Sequence, residues 1–155
     1  MDMSARFFVI TVSIMLCSLL AVGCGMPTVR QLKHQPSLAA ESAEQFARTA
    51  FLERDTKSAY DLMWDESKRR YTSQQIEEVI HNLHTAGYPS SVEATDYEPI
   101  FGQPAMNIFL HGSSQSEEFY YRFVMMGTAD TGYKVSDILR GSGPYPPSSL
   151  RKSLK

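Results

Sequence analysis

The strongest constraint on this chain is a change of apolar period near residue 90, with helical spacing before it and alternation after it. On the helical side, Ala39, Ala43, Phe46, Ala47, Ala50 and Phe51 predict a helix from an N-cap at Ser37 to about Arg54. Asp55 is placed to cap a second, shorter helix in which Ala59, Tyr60, Met63 and Trp64 share a side. Ser67–Arg70 is polar and basic and reads as a solvated turn. The clearest local pattern comes next. Thr72 with Gln75 makes a capping box, and Ile76, Val79, Ile80 and Leu83 fall at i, i+3, i+4 and i+7. Gly87 and then Pro89 stop that helix.

From residue 91 the period is two. Val92–Glu98, ended by Pro99, is the first expected strand, and Met106–His111 the second. In Glu118–Met126, Phe119, Tyr121, Phe123 and Met125 alternate with Tyr120, Arg122, Val124 and Met126, so both faces of this strand are largely apolar. Tyr133–Leu139 is the fourth, and the stretches 112–116 and 128–132 have hairpin-loop composition. Helices first and a strand meander after them give an α+β fold, with N-terminal helices packed on a curved antiparallel sheet of about four strands.

Residues 7–22 are apolar and uncharged, with Arg6 before them and Ala21-Val22-Gly23-Cys24 after. The length and the small residue ahead of Cys24 fit a signal peptide, and the run breaks at Gly25 and Pro27, short of a permanent span. The four residues ending at Cys24 resemble the bacterial lipobox, although Ala21 stands where leucine is preferred. That resemblance implies cleavage of residues 1–23, acylation of Cys24 and a lipid-anchored domain in the cell envelope. Gly25 stands where an aspartate would direct inner-membrane retention, so outer-membrane residence facing the periplasm is the expectation for a Gram-negative source. An ordinary secretory signal and an uncleaved anchor are the other readings of the segment. The cysteine count agrees with lipidation: of two cysteines, Cys17 leaves with the signal and Cys24 takes the lipid, so no thiol and no disulfide remain. Residues 24–36 are polar and aperiodic and read as a tether to a domain over 37–140. The end, 141–155 with Arg140 just before it, has three prolines and a basic balance, since Arg140, Arg151, Lys152 and Lys155 have no acid among them. It reads as a disordered tail, or as an electrostatic contact to anionic head groups or a partner.

The whole chain of 155 residues has a net charge of −2, with 43% hydrophobic and 21% charged residues. Near-neutrality and the lack of basic aromatic motifs argue against nucleic acid as a partner. Three helices followed by a curved antiparallel sheet resemble the NTF2-like (cystatin-like) superfamily. The resemblance rests on Phe46 with Phe51-Leu52, on Arg54-Asp55 with Ala59-Tyr60-Asp61-Leu62, on the Thr72–Leu83 helix and on Val135-Ser136-Asp137-Ile138. It implies a conical cavity between sheet and helices, used by steroid isomerases and dehydratases for catalysis and by many members only for binding or dimer packing. Some accessory lipoproteins of secretion and conjugation machines share the fold as well.

Within such a cavity, Asp61, His84 and His111 are the titratable residues placed to point inward, with Tyr60, Trp64, Tyr97 and Tyr121 as walls. Those residues form no acid/base pair legible in the sequence, and no catalytic residue is assigned. Glu77, His81 and His84 share one flank of their helix, but zinc wants three or four ligands and no fourth is indicated, so neither a metal nor another cofactor is expected. There is no nucleophile elbow and no phosphate loop. The expected role is therefore a non-enzymatic binding or scaffold module of the envelope, held to the membrane through Cys24. Its partner would be an envelope protein or a second copy meeting the doubly apolar strand; the alternative is a small-molecule binder or isomerase-like enzyme using the cavity.

Overall fold

The computed structural model describes residues 33–155. The signal run, Cys24 and all but the last residues of the expected tether lie outside the described residues. Among those described, no helix is long and apolar enough to cross a membrane.

The helical half is α1 (Pro36–Ala47), a π-helical segment (Arg48–Leu52), α2 (Thr56–Asp61), α3 (Asp65–Arg70) and α4 (Ser73–Leu83). Helix α1 begins two residues earlier than its sequence predicts. Gln35 is the N-cap and Pro36 takes the first position, where its missing N–H costs nothing and its fixed φ suits the helix; Ser37 lies inside. The expected continuation to Arg54 changes to π geometry after Ala47. Bonds to the fifth residue bring Phe46 and Phe51, five apart, onto one buried side with rings 6.4 Å apart edge-on. Two residues past the segment's end, Arg54 takes a φ of 58°, a left-handed turn that lets the Asp55 N–H reach the Thr49 carbonyl at 2.9 Å.

Asp55 caps α2 as expected: its carboxylate accepts from the Ser58 N–H and hydroxyl, and these bonds hold its pKa below the ordinary value. The expected solvated turn at 67–70 is instead part of α3, because Ser67 is buried and its hydroxyl donates to the Ser136 carbonyl at 3.0 Å. In α4 both arms of the Thr72/Gln75 capping box are formed, and Ile76 and Ile80 enter the core. Val79, expected on that stripe, stays 41% exposed, at the edge of the contact with Ile138.

The sheet is antiparallel, in the order β4-β3-β2-β1-β5, with β1 Ser91–Pro99, β2 Ala105–Ser113, β3 Glu118–Thr128, β4 Gly132–Gly141 and β5 Lys152–Ser153. Phe119, Tyr121, Phe123 and Met125 of β3 are buried toward the helices, alongside Met106, Ile108 and Leu110 of β2. Bulges at Thr95 in β1 and Ser136 in β4 bend the sheet, and the second frees the Ser136 carbonyl for Ser67.

The expected disordered tail is corrected. After Gly141 the chain crosses the sheet's outer face and ends as β5 on the edge of β1, with Tyr97 opposite Lys152 and Asp96 opposite Ser153. Tyr145 packs edge-on to Phe109 at 5.4 Å, and the Arg151 guanidinium lies 3.7 Å over the same ring. Three of the four tail bases have partners in the chain: Arg140 with Glu117, Arg151 with the Tyr145 carbonyl, and Lys155 with Glu93. The C-terminal segment thus covers part of the outer side of β2 and β3, over Phe109 and beside Tyr120 and Arg122.

Candidate functional site

Where α4 ends, His84 takes a non-helical conformation that swings its ring under the sheet. Its Nδ1 is 2.7 Å from the Ile80 carbonyl and its Nε2 2.7 Å from the Tyr121 hydroxyl. A carbonyl only accepts, so Nδ1 carries the proton, Nε2 accepts, and Tyr121 donates. The imidazole stacks on Tyr88 at 4.4 Å with planes 15° apart, and Phe51 approaches its other flank at 4.6 Å. Burial pushes the His84 pKa below its ordinary value; the Arg140 charge acts in the same direction, against the Ile80 bond and Glu117. Burial likewise pushes the Tyr121 phenol up. Both groups are neutral at neutral pH, and each satisfies the other.

Around this pair, Arg140 ties three pieces together. Its guanidinium donates to the Leu83 carbonyl at the end of α4 and to Glu117, and lies 4.5 Å over the Phe119 ring. On the helix side, Arg54 stacks over Tyr88 at 4.7 Å, so Tyr88 is held between a guanidinium and an imidazole. Beyond Tyr88 opens a cleft of 800 Å³ between the π-helical segment and α4, with Arg54, Gln74, Glu77, Glu78, His81 and Asn82 on its walls. The interior proper is filled by Phe46, Phe51, Tyr121 and Phe123, and the cleft lies outside it.

The seven residues placed on a cavity by sequence do not share one; of them only His84 and Tyr121 come together. Asp61 is exposed at the end of α2, because the turn that buries Ala59 faces it outward. The Tyr60 hydroxyl donates to the Lys68 and Tyr71 carbonyls and clamps α3. Trp64 is half-buried as the N-cap of α3, its N–H donating to the Val135 carbonyl at 2.8 Å. His111 points to the other side of the sheet, paired with Glu118 and 5.4 Å from Tyr120, since it is out of phase with the buried Leu110. Tyr97 is partly buried against the core. Glu77 and His81 line the cleft while His84 turns inward with both nitrogens engaged, so the flank read from the helical wheel is split. Among the described residues no three His, Cys, Asp or Glu side chains converge as metal ligands.

Three residues that organise the site were missed. Gly87-Tyr88-Pro89 reads as a helix stop and carries no sign that Tyr88 caps His84. Arg54 is masked by its place at a helix end, and Arg140 by its basic neighbours. A second space of 370 Å³ lies on the outer face beneath the C-terminal segment, between Thr95, Phe109, His111, Tyr120, Tyr145 and Arg151. No protein-family model matches the chain, and no curated protein or solved structure matches it.

Proposed function

We propose that this chain is an envelope lipoprotein, cut before Cys24 and acylated there, whose NTF2-like domain serves as a non-enzymatic binding or scaffold module. Support for the anchor is the apolar run 7–22 ending in Gly23-Cys24, with a remaining chain free of thiols. Two or more acyl chains, at about 0.8 kcal/mol per buried methylene, hold such a domain on the membrane for its lifetime. The outer membrane, facing the periplasm, is the favoured location in a Gram-negative source because Gly25 follows the cysteine.

The observation that carries the non-enzymatic reading is the closed His84–Tyr121 pair. A catalytic acid or base must reach a reacting atom, and here both ring nitrogens of His84 are bonded within the protein while Tyr88 and Phe51 flank the ring. Ligand or partner contact then falls to the open polar cleft of Arg54, Glu78 and His81.

One feature favours the small-molecule reading as a runner-up. Tyr88 stands in the cleft wall and stacks on the His84 ring, so its displacement would join the cleft to the pair.

Two measurements test these readings. Intact mass of the membrane form should show loss of residues 1–23 and diacylglyceryl on Cys24; Cys24→Ser should carry no acyl mass and leave the detergent phase. A processed chain without acyl mass overturns the anchor. For the module, Tyr88→Ala should bind anilinonaphthalene sulfonate where the parent does not. A parent that binds the dye, with Tyr121→Phe altering the binding, would favour an open cavity.

A further inference from the structure

We infer that the domain stands on the membrane by one defined end, the end of the sheet carrying the β1–β2 and β3–β4 loops, and that Phe101 is inserted into the bilayer interface. The inference rests on the lipoprotein reading above for the presence of an anchor. Its own content is the orientation.

The meander puts these two loops together. Pro99 pairs with Met106 and Ala105 with Met126, and the Gly127 N–H donates to the Pro104 carbonyl at 2.7 Å. The chain from Cys24 arrives at the same end, because the Ala129 N–H in the β3–β4 hairpin donates to the Lys33 carbonyl at 3.1 Å. Gln35 follows with its N–H on the Tyr133 hydroxyl at 2.8 Å. Cys24 and Lys33 are nine positions apart, a reach on the order of 30 Å when fully extended. The lipid therefore keeps this end within that reach of the bilayer.

What that end presents is apolar. In the turn from Ile100 to Gln103, Gly102 takes a φ of 72° and Phe101 occupies the corner, 98% exposed. The loop 100–104 has no charged side chain. Leu150, 56% exposed, is at the same height: Tyr97 faces Lys152, so two further steps along the antiparallel register set Leu150 level with Pro99. The Ser148 hydroxyl bond to Glu98 fixes that turn. Leu38, in the first helical turn after Gln35, is a third exposed apolar side chain near the chain's arrival point. Of the five large exposed hydrophobics among the described residues, three thus gather where the tether arrives; Tyr71 and Val79 sit elsewhere, beside Ile138. Charge does not set the orientation, since exposed Lys33 and Asp130 stand at this end with opposite sign. Aromatic and aliphatic side chains at the level of lipid head groups do.

The test uses the full, processed chain in vesicles of phosphatidylethanolamine and phosphatidylglycerol containing a brominated phospholipid. In a Trp64→Phe background, Phe101→Trp should emit at shorter wavelength than in detergent-free buffer and be quenched several-fold more strongly than Val79→Trp. If the Trp64 change spoils folding, a nitroxide on Gln103→Cys, the sole free thiol of the lipidated chain, serves instead. It should be more accessible to oxygen than to a water-soluble nickel chelate. A sample that carries acyl mass but leaves position 101 unquenched, or position 103 open to nickel, overturns the orientation alone. A sample without acyl mass overturns the lipoprotein reading and the orientation with it.

Discussion

The Nε2 of His84 and the hydroxyl of Tyr121, 37 residues apart in sequence, meet at 2.7 Å inside the domain and join the end of α4 to the middle of β3. Neither has another polar partner that could replace the bond. Tyr121→Phe should leave Nε2 buried without a donor, at a cost of about 1–3 kcal/mol. Urea unfolding of the variant against the parent measures it. Were the midpoint unmoved, the ring would have to be reaching water in solution.

The same pair predicts a pH dependence. His84 has a lowered folded pKa against an ordinary value of 6.5. Between those two values the unfolded chain binds a proton that the folded chain refuses, so stability is full above about 6.5 and declines as pH falls below it toward the folded value. Arg140 and Glu117 are the charges facing the ring, and Arg140 disfavours its protonation. Unfolding midpoints taken between pH 7.5 and pH 5.5, above the carboxylate range, should fall on acidification at about 1.4 kcal/mol per unit at the steepest. In His84→Gln that slope should shrink.

The fold was largely legible because periodicity reports on faces. The capping box at Thr72, the cap at Asp55 and the alternation of Phe119 through Met125 each have a short-range cause, and each is where the sequence puts it. What escaped is set by contacts distant in sequence. Nothing near Ser67 announces that the Ser136 bulge will bury it, and nothing in Pro144–Lys155 announces that Phe109 and Tyr97 await it. Composition made that segment look disordered, yet its prolines leave the backbone little freedom to lose when it packs. Of the site, His84 and Tyr121 were legible singly as buried polar groups, but their bond depends on where α4 ends, and Tyr88 decides whether anything reaches them.

Arg54 offers a conformational test. It is the single non-glycine residue with positive φ among the described residues, and it also covers Tyr88. Arg54→Ala loses the cation–π contact and keeps the strained backbone, whereas Arg54→Gly loses the contact and relieves the strain. Gly should therefore be the more stable of the two by about 1 kcal/mol, with Ala below the parent. Equal stabilities would mean that the turn opens in solution.

The C-terminal segment makes the last case. Phe109 is buried although it points away from the helices, because Tyr145 and the Arg151 guanidinium lie on it. Burial also pushes the Tyr145 phenol up, as expected for a ring seated on a sheet and not waving above it. Ending the chain after Gly143 strips this cover and removes β5, leaving the outer faces of Phe109 and Tyr120 wet and the β1 edge unpaired. An apolar face beside an open strand edge is the arrangement that recruits another chain. The truncated protein should therefore lose stability by several kcal/mol and associate in a concentration-dependent way, both followed by sedimentation and urea unfolding. Tyr145→Ala separates the two effects, since it keeps β5 on the edge and uncovers Phe109. It should cost about 2–3 kcal/mol, mostly from lost aromatic burial, with far less association. A truncated chain that stays monomeric and as stable as the parent would show that the segment spends its time off the sheet in solution.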